Sequence, residues 1–431
     1  MRNQFTALHV GNEGFDDVLL GIRLCILRGY VFFGLREARL MLFTLLKNCD
    51  VYTPEHIGHN DILIIGDRIA RIAPRIDICS GVFQVEFIDV EGRKVVPGFI
   101  DPHVHMIGGG GEAGFFSRVP EIMLSGIISS GITTLVGVLG TDGTTRHLES
   151  LLAKARGLET EGVTTYMFTG SYELPPLNIT GSVRRDIIII DKIVGVGEVA
   201  VSDHRSSEPT VQELKRLATE ARLGGMLSGK PGIAHFHMGS GKDGLSKIVE
   251  AVETSEIPAR HFYPTHINRK RELLDEAMEF AKLGGYIDMT AGVSPQNGFT
   301  GTVKPSRAVI ECLDKGVPLN RITMSSDGNG SMAVYNEAGK VERLLVTTLD
   351  SIHKEFKDLV LQDGLDLTRA LHTVSTNTAA LLGLYPLKGA IAIDSHADLV
   401  VLNDKLDVDM VFAKGVRMME NGVVIKKGTF E

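Results

Sequence analysis

The 431-residue chain is 43% hydrophobic and carries 53 acidic against 45 basic side chains, a net charge of −8. That balance argues against a nucleic-acid partner, which favours a basic face, and leaves any anionic substrate to local arginines. Cys25, Cys49, Cys79 and Cys312 are far apart and form no C-x-x-C pair; they read as small buried hydrophobes in a reducing cytoplasm, against a disulfide framework or zinc knuckle.

The apolar run Val18–Leu35 is interrupted by Arg23 and Arg28 and preceded by Asp16 and Asp17. The charges argue against both a secretory signal and a membrane span. Met41 begins a segment that reads like an ordinary protein start, so residues 1–40 are treated as an extension, either an added helix or hairpin or an over-long start. Strands are expected at Leu42–Leu46, Asp61–Ile65, Arg68–Ile72 and Phe83–Val90, separated by turn residues such as Gly66-Asp67 and Glu91-Gly92. The other end repeats this pattern, with Ala397–Leu402, Asp409–Ala413 and a hairpin of Val416–Glu420 and Val423–Lys427 over Asn421-Gly422. Residues 41–96 and 386–431 are therefore expected to pair into one small β-sandwich.

Between them, residues 97–385 alternate strand and helix. Strands are expected at Val95–Ile100, Thr133–Leu139, Thr165–Gly170, Val194–Val201, Ile233–His237, His261–His266, Tyr286–Met289 and Ile322–Ser326. Helical periods follow most of them, as in Leu148–Leu158, Val211–Leu227, Leu245–Val252, Glu272–Leu283 and Arg307–Leu313. Eight such units in about 290 residues predict an α/β fold of the (β/α)8 TIM-barrel type. An open doubly wound sheet is the competitor, but Gly108–Gly111 lacks the G-x-G-x-x-G order of a nucleotide loop.

Asp101-Pro102-His103-Val104-His105 stands at the end of the first expected strand. Side chains two apart on a strand share a face, so His103 and His105 can bind one ion. An isolated H-x-H pair is weak evidence, and its company strengthens it. His237 ends the fifth expected strand, His266 the sixth and Asp327 the eighth, while Glu198 sits within the fourth. Strand ends converge on one mouth of a barrel. Imidazoles and carboxylates gathered there are a ligand set for two divalent ions, zinc first among them, with a bridging hydroxide. His235 is expected to point outward toward the helices, and His147, His261 and His372 carry no supporting pattern.

The stretch V-V-P-G-F-I-D-P-H-V-H (95–105) resembles the first-strand signature of the amidohydrolase superfamily. The blocks I-G-G-G-G-E-A-G (107–114), L-L-A-K-A-R (151–156), S-D-H-R-S (202–206), F-H-M-G (236–239), P-T-H-I-N-R (264–269), S-S-D-G-N-G-S (325–331) and the terminal K-G-T-F-E resemble its isoaspartyl dipeptidase family. The likeness runs from about Met41 to Glu431, with no counterpart for residues 1–40. It implies hydrolysis of a small-molecule substrate, a dipeptide joined through the aspartate side chain, by a cytoplasmic homo-oligomer without membrane or nucleic-acid partners. It also implies roles. His103, His105 and Asp327 hold one ion, His237 and His266 the other, and Glu198 both. Asp327 moves the proton, and Tyr172 hydrogen-bonds the developing oxyanion. Glu112 takes the substrate ammonium, Arg205 and Arg269 the carboxylates, and Thr141 and Ser331 supply hydroxyls. Asp203 and His204 orient the loop around Arg205.

One position departs from the pattern. The well-known form of the family bridges its metals with a carbamylated lysine, where this chain has Glu198; Lys192, six residues earlier, is expected near the other end of the strand. A cyclic-amide hydrolase of the dihydroorotase or hydantoinase kind is the near alternative. A non-catalytic barrel scaffold that binds protein partners is the distant one.

Overall fold

Short runs of β-branched and aliphatic residues at each end of the chain form one sheet. A computed structural model describes residues 43–78, 84–295, 299–335 and 341–431. The readings of residues 1–40, Cys25 and Cys79 lie outside the described residues. The first end supplies β1 (Phe43–Tyr52), β2 (His56–Ile65), β3 (Arg68–Ala73), β4 (Val85–Asp89) and β5 (Lys94–Pro97).

The centre supplies the parallel strands β6 (Phe99–Val104), β7 (Ile132–Gly137), β8 (Thr164–Thr169), β9 (Ile193–Val201), β10 (Ile233–Met238), β11 (Phe262–Thr265), β12 (Ile287–Thr290) and β13 (Ile322–Ser325). Strands β6 to β11 pair in sequence order, β12 pairs with β13, β11 lies against β12, and β13 against β6. A parallel bridge from Val104 to Gly328 adds to that last seam. The result is the expected (β/α)8 barrel, not an open sheet. All nine residues of β9 are buried, as are all of β6, β7 and β10. Strands covered on both faces read as continuous apolar runs, which is why they were visible in the sequence. Helices close the outside; the one at Val211–Ser228 starts on a capping box between Thr210 and Glu213 and stops at Gly229 in the left-handed region.

A hairpin of β14 (Ser331–Tyr335) and β15 (Val341–Val346) follows the eighth barrel strand. The far end adds β16 (Leu399–Leu402), β17 (Val408–Ala413), β18 (Val416–Glu420) and β19 (Val423–Val424). These join β1–β5 in a nine-stranded sheet of order β19-β18-β17-β16-β5-β1-β2-β3, with β4 beside β1. The two ends meet at antiparallel β5 and β16, where Lys94 faces Leu402 and Pro97 faces Leu399. Leu46, Val51, Ile62, Ile64, Val95, Val401 and Phe412 pack into one core of this β-sandwich lobe. Each such burial stabilises by about 1.5–3 kcal/mol before chain entropy is counted. Cys49 and Cys312 are buried free thiols, as small hydrophobes should be.

The expected strand Val95–Ile100 is two strands. Residues 94–97 belong to the terminal sheet and 99–104 to the barrel, with Gly98 between them. A Cβ on Gly98 would lie 2.2 Å from Thr133 Oγ1, so only glycine lets the backbone pass there. His103 consequently lies within β6 rather than beyond its end, and His105 directly follows it.

Candidate functional site

The C-terminal ends of the barrel strands bring the six expected metal ligands together. His103 and Glu198 are fully buried, and His105, His237, His266 and Asp327 nearly so. Glu198 stands between the histidines with one oxygen turned to each pair. Its Oε1 is 3.4 Å from His103 Nε2 and 3.7 Å from His105 Nε2. Its Oε2 is 2.9 Å from His237 Nδ1 and 3.6 Å from His266 Nε2. Asp327 Oδ1 lies 3.1 Å from His105 Nε2 and 3.4 Å from His103 Nε2. Among the described residues, two triads have ligand atoms close enough for a single ion, namely His103–Glu198–His266 and His103–His105–Asp327. His237 belongs to neither triad, although its Nδ1 faces Glu198.

These residues fit divalent cations by an observation independent of their spacing. His103 Nε2, His105 Nδ1 and Glu198 Oε1 are buried with no hydrogen-bond partner. Orphaned donors and acceptors cost about 1–3 kcal/mol each, and buried groups of this kind are left so for a reason. The charges support the same conclusion. Burial opposes ionisation of Glu198, yet His103, His237 and His266 hold its carboxyl well below the usual range. Burial likewise opposes Asp327, and His103 and His105 keep it ionised. For His103 burial favours the neutral ring, but Glu198 and Asp327 outweigh it and hold its pKa well above the ordinary value, so a bound cation would take the place of the Nε2 proton between the same two carboxylates. The pocket thus keeps anionic carboxylates among imidazoles, the donor set that borderline divalent metals prefer.

Two of the expected ligands carry backbone strain. His266 has φ +62° and Asp327 has φ +53°, a left-handed conformation costing non-glycine residues roughly 1–2 kcal/mol. Such strain collects at functional sites. Neighbours then orient the rings. Thr290 Oγ1 lies 2.6 Å from His266 Nδ1, which leaves Nε2 toward Glu198. Gly140 leaves room for His105: a Cβ there would lie 2.6 Å from His105 Cε1.

His235 corrects the sequence reading. It is fully buried in the barrel interior, with Nε2 2.8 Å from His103 Nδ1. It lies two residues before His237, and strand alternation puts both on one face, so the outward expectation fails on spacing. The signal that finds it is the H-x-H pair 235/237, which mirrors 103/105. Burial pulls its pKa down to about 3, so it is neutral. Lys192 behaves as expected: it precedes β9 and its Nζ lies 2.5 Å from Glu159 Oε2, away from the metal ligands.

The centre opens into a cavity of about 770 Å³ whose lining includes Glu112, Thr141, Tyr172, Arg205, Arg269 and Ser331. All the residues expected to touch substrate therefore face one space. The Tyr172 hydroxyl is 2.7 Å from His237 Nδ1. Burial, reinforced by Glu198, pushes its pKa well above the ordinary value, so it keeps its proton. The Arg205 guanidinium sits 5.0 Å over the Tyr172 ring and is clasped by both oxygens of Asp203, at 2.9 Å each. Burial works against its charge, but the carboxylates of Asp203 and Glu112 hold the guanidinium firmly protonated. Its Nη1 is 3.3 Å from Glu112 Oε1, and Thr141 Oγ1 donates to the same oxygen at 3.1 Å. Arg269 Nη1 donates to the Met238 carbonyl at 3.1 Å and lies 3.1 Å from His237 Nε2. His204 also lines the cavity, though its side chain is largely exposed and reaches Asp203 only at 3.5 Å.

Residues 94–418 match the amidohydrolase family. A solved β-aspartyl dipeptidase from the thermophilic keratin-degrading Fervidobacterium islandicum AW-1, in complex with the β-Asp-Leu dipeptide, is 42% identical. That match covers 89% of this chain and 98% of the other, with a TM-score of 0.82. An adenine deaminase from Ruegeria sp. (strain TM1040) is 24% identical over 410 residues; the match takes in 88% of this chain but only 58% of the deaminase. A dihydroorotase from Streptococcus pyogenes serotype M3 is 25% identical over 402 residues, covering 84% of this chain and 90% of that enzyme.

Proposed function

The chain belongs to the amidohydrolase family, and on that premise we propose that it hydrolyses β-aspartyl dipeptides, releasing aspartate and the C-terminal amino acid. The observation that carries this reading is Glu198 sharing its two oxygens between two histidine pairs, with His105, His237 and Asp327 lining a cavity that holds opposite charges side by side. His103, His105 and Asp327 would hold one divalent ion, His237 and His266 the other, and Glu198 both. Two zinc ions bound there supply a water acidic enough to attack near neutral pH and an electrophile for the carbonyl.

The remaining work falls to side chains. Asp327 takes the proton of the attacking water and returns it to the leaving amine. The Tyr172 hydroxyl donates to the carbonyl oxygen as charge develops on it. A β-aspartyl dipeptide keeps its α-ammonium and α-carboxylate on one carbon, because the side-chain carboxyl makes the amide. Glu112 and Arg205, 3.3 Å apart, complement that pair. Thr141 adds a hydroxyl at the same point. Arg269 and Ser331 receive the second carboxylate, the C-terminus of the leaving residue. An α-aspartyl dipeptide has no free α-carboxylate on its first residue, and a cyclic amide such as dihydroorotate has no ammonium for Glu112. The strand pairing supports the expected division into a sandwich from the two chain ends (41–96 and 386–431) and a catalytic barrel between them, with the boundary shifted so that Pro97 pairs in the terminal sheet and the barrel starts at Phe99. No described helix is long and apolar enough to cross a membrane. A cytoplasmic homo-oligomer is part of the same proposal.

The test combines elemental analysis with parallel assays of β-Asp-Leu, α-Asp-Leu and dihydroorotate. Two bound ions and selective cleavage of β-Asp-Leu are expected. Turnover of dihydroorotate instead would establish the cyclic-amide reading, and a chain that binds no ion would favour a scaffold.

A further inference from the structure

We propose that His235 is a positioning residue of the metal centre, holding the His103 ring so that its Nε2 faces Glu198 and Asp327. The argument follows hydrogen-bond direction. The Tyr263 carbonyl oxygen can only accept, and it lies 2.9 Å from His235 Nδ1, so that nitrogen carries the proton. In a neutral imidazole the other nitrogen is then an acceptor. His235 Nε2 lies 2.8 Å from His103 Nδ1, which must therefore donate. His103 is left with Nε2 for the space between Glu198 Oε1 and Asp327 Oδ1, each 3.4 Å away, and no protein group hydrogen-bonds that atom.

The surroundings make the relay rigid. His235 is stacked between the Phe168 and Tyr263 rings at centroid distances of 4.9 and 4.8 Å, and Tyr263 is itself anchored through its hydroxyl to Asp288 at 3.0 Å and Thr323 at 2.7 Å. The ring slot fixes the plane of His235, and the carbonyl fixes its tautomer. Groups that orient a ligating imidazole through its second nitrogen typically change metal affinity 10–100-fold when removed. Carboxylates and carbonyls are the usual partners; here a second histidine passes a carbonyl's influence onward.

This inference rests on the metal-centre reading proposed above, so its test uses ion binding and no substrate. Zn2+ affinity of the apo-chain is measured by competition with a chromophoric chelator for the wild type, His235→Phe and His235→Gln. Phenylalanine preserves the ring slot and removes the acceptor. Glutamine restores an acceptor toward His103 and a donor toward the Tyr263 carbonyl. We expect the phenylalanine variant to bind Zn2+ at the position His103 serves about 10–100-fold less tightly and the glutamine variant to recover most of that loss. A purely structural role would lower thermal stability in both without this rescue. Wild-type affinity in His235→Phe overturns the proposal, as does a glutamine variant no better than phenylalanine. Should either variant fail to fold, nitrogen-15 histidine spectra of the wild type decide: protonation of His235 at Nδ1 is expected, and a proton at Nε2 overturns the relay. A chain that binds two ions yet leaves β-Asp-Leu intact would sink the hydrolase reading and leave this one standing.

Discussion

Lys192 Nζ lies 2.5 Å from Glu159 Oε2, and Lys414 reaches the other oxygen of the same carboxylate. The contact commits the lysine at the start of β9 to an ion pair at the far end of the strand from Glu198. A lysine carbamate has no place at Lys192, and Glu198 itself presents a carboxylate that needs no carbon dioxide. Metal reconstitution of the apo-protein should therefore proceed equally well in bicarbonate-free and bicarbonate-supplemented buffer. A strict requirement for bicarbonate, read as ions bound per chain, would show that another group bridges the metals.

Glu159 also sets an acid limit. Burial raises its pKa, but Lys192 and Lys414 outweigh that and bring it from an ordinary 4.5 to about 2. A depressed folded-state pKa adds stability that is present above about 4.5 and is lost as pH falls toward 2. Replacing Glu159 with Gln should lower stability near neutral pH by roughly 2 kcal/mol. Acid-unfolding curves of the two proteins should converge only as the pH falls through about 2. A gap that persists at the lowest pH would assign the loss to packing instead.

Arg269 lines the cavity and is the donor proposed for the leaving residue's carboxylate. Its removal leaves every proposed metal ligand in place, so Arg269→Ala should keep both ions and raise KM for β-Asp-Leu by about 30–100-fold, the worth of a charge-assisted pair of hydrogen bonds. Unchanged KM in steady-state kinetics would remove Arg269 from the substrate site.

Tyr172 should act on the rate and not on binding. Tyr172→Phe keeps the ring under Arg205 and deletes the hydroxyl beside His237. A drop in kcat of about 100-fold with KM little changed is the expected signature of a lost oxyanion donor. An equal rise in KM with kcat preserved would mean that the hydroxyl serves ground-state binding.

Gly140 tests the ligand pocket from the backbone side. It has φ +81°, and a Cβ there would lie 2.6 Å from His105 Cε1 and 3.5 Å from Glu198 Oε1. The His105 ring must move if alanine is introduced. Gly140→Ala should lower the number of ions retained after dialysis toward one per chain, while far-UV circular dichroism stays unchanged. Retention of two ions would show that the ring has room to adjust.

The barrel was legible because parallel strands buried on both faces leave apolar runs: β7 through β13 fall within a few residues of the expected segments. The first strand was misread because Val95-Val96-Pro97 and Phe99-Ile100 are one apolar run in sequence, and only the pairing of Lys94–Pro97 with Leu399–Leu402 separates them. The six candidate metal ligands were legible as residue types at strand ends, and the family resemblance implied the pairing of His103 with His105 and of His237 with His266 on either side of Glu198. Which Glu198 oxygen faces which pair was not legible, since that depends on the closing of the barrel.

The sequence by itself determined the chemistry on offer: imidazoles and carboxylates at strand ends, glycine-rich turns beside them, and arginines in the loops that follow. Tertiary structure alone decided how those groups are used. It put His235 behind His103, placed Asp203 on Arg205 so that the guanidinium faces Glu112, and drew Lys192 to Glu159. Residue type limits which bonds a side chain can make, but partners distant in sequence are chosen by the fold, because a hydrogen bond forms only where the backbone brings donor and acceptor within about 3 Å.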